Sequence, residues 1–179
     1  MAIAPANDKL VEVMAWLRRR WPLLSEPRLF TALYLLDFMH FQETGRAVTN
    51  LIYYAWSVGP VPVSLLDDMM QSVPPAHLAK LESDLIDLAA CPHLSKRELR
   101  LLAGIADLLE PLPPLSIPEI DCLDCAPWHA SMSDPSSRYK PIAYSLALSP
   151  LPADRRQAVE DVIAERQALF TPFNERLAP

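Results

Sequence analysis

Apolar residues recur at spacings of three and four from Leu10 through Val13 and Met14 to Leu17. That stripe predicts an amphipathic helix over Asp8 to Arg20, ended by Pro22. Ser25 then stands as an N-cap with Pro27 in the first turn, opening a second helix that runs to about Glu43, where Gly45 offers a left-handed C-terminal cap. From Leu29 to Phe41 this helix is apolar nearly all round, the pattern of an element buried at the centre of its domain.

The pattern changes at Val48. Val48, Thr49, Leu51, Ile52, Tyr53, Tyr54, Trp56 and Val58 are β-branched, aromatic or aliphatic, which predicts an extended segment near residues 48–58. Gly59-Pro60 is expected to end it, because a residue before proline is pushed out of the helical region. No hairpin partner stands out, so a large sheet is not expected. Helices are predicted again over Val63–Gln71 and Pro75–Ala89. Two capping-box spacings follow, Ser95 with Glu98 and Ser116 with Glu119. The first opens a helix carrying Leu99, Leu102, Ile105, Ala106 and Leu109, the second a shorter one through Leu123. Ser131–Lys140 is polar and loop-like. A last amphipathic helix is predicted over Pro152–Phe170, with Val159, Val162, Ile163 and Leu169 on one side. The expectation is a mainly α, compact domain of about six to seven helices, with one short extended or β segment. One domain over 1–150 carries a C-terminal helical extension, 151–179, packed on it.

Composition narrows the function more than the fold. Of 179 residues, 51% are hydrophobic, enough for one substantial core. The 22 acidic residues outnumber the 16 basic ones, a net charge of -6 that argues against general nucleic-acid binding. Arg18-Arg19-Arg20 is a local basic spot, but arginines ending a helix suit its C-terminal dipole. Three glycines rule out Gly-rich phosphate loops, and the 19 prolines fall mostly between periodic stretches. The start, MAIAPANDKL, lacks the charge-then-apolar order of a signal peptide, and no run is long enough to span a membrane. With an odd three cysteines, a reduced cytoplasmic setting is expected.

Candidate chemistry is sparse. Asp37 and His40 lie three apart on one helix face and are placed to bond each other, but no nucleophile sits at a recognisable spacing. No catalytic residue and no cofactor is therefore expected. Cys122-Leu-Asp-Cys125 with His129 has ligand-like spacing, and Cys91-Pro-His93 supplies two further candidates. A zinc signature would show two clean pairs, and buried cysteine is the alternative reading. Gly45 and Gly59-Pro60 read as conformational necessities. Tyr53, Tyr54 and Trp56 are the candidates for partner contact, since rigid aromatics dominate interface hot spots. Core packing competes, and alternation sets Tyr53 and Tyr54 on opposite faces.

The run from Leu33 to Phe41, then Gly45-Arg46-Ala47-Val48-Thr49, Tyr53-Tyr54-Ala55-Trp56 and Gly59-Pro60-Val61-Pro62, resembles the Panacea domain family of SocA-like antitoxins. That family shows a helix of the form LLYFADFLHF, a TGRPIT turn, a Y-x-A stretch and a YGPVP corner in the same order. Glu119-Ile120 and Trp128 resemble its later element. Val58 replaces the family's tyrosine before Gly-Pro, and Cys125 stands where a histidine is usual. The resemblance implies a non-enzymatic antitoxin that binds a cognate toxin directly, with one branch of the family delivering its toxin to a Clp-type protease. It adds Trp128 to the partner-binding candidates, and Thr49 to the structural motif of Asp37, His40, Gly45, Gly59 and Pro60. A Cys/His metal-binding or catalytic protein, and a regulatory interaction module without a toxin, are the alternatives.

Overall fold

The computed structural model describes residues 8–71, 91–112 and 126–175, with side chains through Leu169. The predicted helices at 75–89 and 116–123 lie outside these residues, as do Glu119, Ile120, Cys122 and Cys125. Helix α1 covers Asp8–Arg20, and its stripe Leu10, Val13, Met14 and Leu17 is buried. Helix α2, Glu26–Thr44, is the centre of the molecule, buried almost without a break from Arg28 to Phe38. Around it pack α1, a short hairpin, helix α4 (Lys96–Leu109), a 3-10 turn (Tyr144–Leu148) and the last helix α6 (Ala153–Glu175). Helices α3 (Val63–Met70) and α5 (Ala126–Ser133) complete the described helices, which makes the domain mainly α. No described helix is long and apolar enough to cross a membrane.

Local signals explain most of these boundaries. The Ser95 hydroxyl accepts from Glu98 N–H at 3.2 Å, and the Glu98 carboxylate accepts from Ser95 N–H at 2.7 Å, closing the expected capping box. The other Glu98 oxygen takes the Lys9 ammonium at 2.5 Å, which ties α1 to α4. Arg20 reaches across to Asp107 on α4 and to Glu110 at its C-cap, so one arginine of the basic spot is occupied by the fold itself.

The extended region differs from its prediction. Residues 48–53 form no strand; strand β1 is only Tyr54–Trp56, and it pairs antiparallel with β2, Gly59–Val61, through the two-residue turn Ser57-Val58. Gly59-Pro60 therefore does not end the segment but begins its return. Proline is tolerated there because a two-stranded hairpin does not need its missing donor, and Gly59 adopts φ +131°, a conformation that favours glycine. The other edge of β1 is also covered. Ala55 N–H donates to Lys140 O at 3.0 Å, Tyr139 N–H to Ala55 O at 2.9 Å and Ile142 N–H to Tyr53 O at 2.7 Å. A stretch that reads as a polar loop thus supplies a third, irregular strand.

Helix α6 lies on the end of α2. Its half-buried positions are Arg156, Val159, Ile163 and Arg166, while Val162 and Leu169 are exposed, so the apolar side predicted from the sequence splits into two. Gly45 makes the approach possible: it caps α2 at φ +66°, and a Cβ there would lie 2.6 Å from Ile163 Cγ1. Gly45→Ala is expected to cost roughly 1–3 kcal/mol, read as a lowered denaturant midpoint. In an Ile163→Ala background the same change should cost less, about 1 kcal/mol. An equal cost in both backgrounds would remove the helix contact from this account.

Candidate partner-binding site

Asp37 organises the loop between α2 and the hairpin. Its side chain is fully buried. One carboxylate oxygen accepts from Val48 N–H at 2.8 Å and Thr49 N–H at 2.7 Å. The other accepts from the Thr49 hydroxyl and from the Tyr53 hydroxyl at 2.8 Å, while the Tyr144 hydroxyl lies 3.3 Å away and shares its one hydrogen with Leu51 O at 2.7 Å. Val48 and Thr49 spend their N–H groups on this carboxylate, and Asn50 follows at φ +57°, so the chain cannot run on as a strand.

Aromatic rings enclose the carboxylate. Tyr34 stacks near Phe38 at 4.3 Å between centroids, Phe38 meets Tyr144 at 4.6 Å, and Tyr53 stands edge-on to both Tyr34 and Phe38. Burial among them raises the Asp37 pKa, while its hydrogen bonds, that of Thr49 foremost, pull the other way. The phenols of Tyr53 and Tyr144 are raised as well, by burial first and then by the Asp37 charge. These titratable groups face one another rather than a substrate, so the cluster is a structural fastening with no reacting group exposed.

His40 does not bond Asp37. Its Nδ1 lies 2.8 Å from Arg46 O and within reach of the Thr44 hydroxyl, steadying the turn after α2. The expected pairing fails because helical side chains three apart share a face, yet the loop returning over that face offers each a better partner.

The four aromatic candidates separate by position. Tyr53, 1% exposed, lies in the core, and so does Trp128, 6% exposed; both are corrected from partner contacts to packing residues. The Trp128 indole N–H donates to Trp56 O at 3.0 Å, and its backbone N–H to the Tyr34 hydroxyl at 3.1 Å, so α5 clamps the hairpin onto α2. Tyr54 and Trp56 are half-buried, one residue out of phase with buried Tyr53 and Ala55. The same alternation puts Ile52, 58% exposed, on their face, and the irregular strand bonds the backbone of Tyr139, 62% exposed, to Ala55, the residue before Trp56. Sequence reasoning missed Tyr139, since only its backbone pairing to Ala55 brings it there. Beside this face, a groove of about 180 Å³ runs between the start of α2 and the hairpin, lined by Pro27, Phe30, Trp56, Val58 and Pro60 among others.

The metal candidates do not assemble among the described residues. His93 instead meets Glu12, Nδ1 to Oε1 at 2.5 Å, Cys91 is a half-buried free thiol, and His129 packs its ring against Trp128 at 4.9 Å. No group of three metal-capable side chains converges among the described residues; Cys122 and Cys125 lie outside them.

Residues 29–128, more than half of the chain, match the family model described as antitoxin SocA-like, Panacea domain. The match spans α2 from Leu29 onward, the Asp37 loop, the hairpin and α4, and it ends at Trp128. No curated protein and no solved structure matches the chain.

Proposed function

Since the chain belongs to the SocA-like antitoxins that carry a Panacea domain, we propose that it neutralises a cognate toxin by direct protein–protein binding through Ile52, Tyr54, Trp56 and Tyr139. The family supports an antitoxin-type, non-enzymatic role. The observation that carries the choice of surface is the alternation along 52–56, which turns Tyr53 and Ala55 into the core and leaves two large rings half-exposed. The bond from Trp128 to the Trp56 carbonyl fixes the backbone that presents the ring, so little backbone freedom is lost when a partner covers it. Tyrosine and tryptophan in such a setting are the usual anchors of an interface.

Co-expression with the toxin gene tests this. Tyr139→Ala and Trp56→Ala are each expected to weaken toxin binding by about 2 kcal/mol or more, roughly thirtyfold. Tyr139→Ala should melt like the parent, because an exposed side chain contributes little to folding. Full rescue of growth by the double variant would discard the surface. Delivery of the bound toxin to a Clp-type protease would use the same contact and separates on toxin abundance: occlusion leaves it unchanged, delivery lowers it.

A further inference from the structure

A polar recess of about 540 Å³ opens where α1, the end of α2, the Gly45–Asn50 loop and α6 meet. Its lining is rich in donors. Lys9, His40, Arg46, Asn50 and Arg166 face it, against Glu98 as the one carboxylate among the described lining residues.

The groups that would repel an anion already have partners. Glu98 is bonded to Lys9 and to the Ser95 backbone. At the end of α2, Gly45 O accepts from Arg166 Nη1 at 3.2 Å, Arg46 O faces His40 Nδ1, and His40 O accepts from the Thr44 hydroxyl at 2.8 Å. Asp37, behind Val48, is surrounded by donors from Val48, Thr49 and Tyr53. What remains is cationic. Arg46 is exposed and its guanidinium makes no bond among the described residues, and Arg166 has spent one nitrogen. In a chain with a net charge of -6, two guanidinium groups at one recess reverse the local sign.

We propose that this recess binds a phosphate-bearing anion, with Arg46 and Arg166 as its charged donors. Guanidinium groups present planar pairs of N–H donors that match phosphoryl oxygens, which lysine does only as a point charge. The source is either an inorganic phosphate species or the phosphoryl group of a small metabolite. Partner binding plays no part in the inference, since the chain alone should bind the ligand.

Calorimetric titration of the full chain with inorganic pyrophosphate, and separately with a nucleoside monophosphate, distinguishes the two sources at constant ionic strength. Saturable binding of either supports the site, and the tighter probe identifies the source. Arg46→Glu should melt like the parent without ligand, because its side chain is exposed and carries no bond among the described residues, and should bind roughly tenfold more weakly or worse. Arg46→Gln, which keeps the length and loses the charge, should fall between. Heats no larger than those of sodium chloride at equal ionic strength, or Arg46→Glu binding as tightly as the parent, would overturn the proposal.

Discussion

Asp37→Ala is expected to lower folding stability by roughly 3–5 kcal/mol, a large share of what a domain of this size possesses. The alanine would leave the Val48 and Thr49 N–H groups and the Thr49 and Tyr53 hydroxyls facing a buried gap. Each orphaned buried donor costs about 1–3 kcal/mol, although hydroxyls that can rotate recover part of that. Asp37→Asn should cost far less, about 1–2 kcal/mol. Its oxygen can still accept from both backbone groups, and the Thr49 and Tyr53 hydroxyls can turn to accept the two amide hydrogens. Urea denaturation of both variants checks the order. Equal losses would show that neither the filled volume nor the bonds asparagine retains matter, and that only the carboxylate itself does.

The same pair reports on pH. Burial raises the Asp37 pKa above its ordinary 3.8, so the folded chain holds this proton more tightly than the unfolded chain does. The stabilisation from that proton is full below 3.8 and is lost as pH rises through the folded value. Asparagine cannot titrate. The stability of the parent relative to Asp37→Asn should therefore increase on acidification from neutral pH. A gap that stays constant would mean the carboxyl titrates alike in both states.

Trp128→Ala is expected to cost about 3–5 kcal/mol, the usual range for truncating a buried tryptophan. The loss combines the packing of a residue 6% exposed with the indole bond to Trp56 O. Trp128→Phe, which keeps most of the ring volume but has no N–H, should cost roughly 1–2 kcal/mol through that bond. Melting curves separate this clamp from an interface role. A Trp128→Ala protein that melts like the parent but fails to bind its toxin would return the residue to the interface.

The candidate site was partly legible. Residues 52–56 stand out as β-branched and aromatic, and simple alternation already parts Tyr53 from Tyr54. The rest was hidden. Tyr144 reaches Asp37 across more than a hundred residues, and Tyr139 is brought to the hairpin by a backbone bond to Ala55. Neither relation leaves a spacing in the sequence. Gly59-Pro60 misled for a related reason: locally it reads as a stop, yet opposite Ala55 and Trp56 it is a returning strand.

By itself the sequence determined the helices α1, α2 and α4, their caps at Gly45 and Ser95, and the central burial of α2. Those features depend on residues within a turn or two of one another, and a helix closes its hydrogen bonds inside its own segment. The tertiary structure decided which groups answer Asp37, which half of the aromatic segment faces out, and that a polar stretch near Tyr139 completes the small sheet. A buried carboxylate takes whichever donors the fold brings to it, and a strand is defined by its neighbour across the sheet. Both are settled only when distant parts of the chain meet.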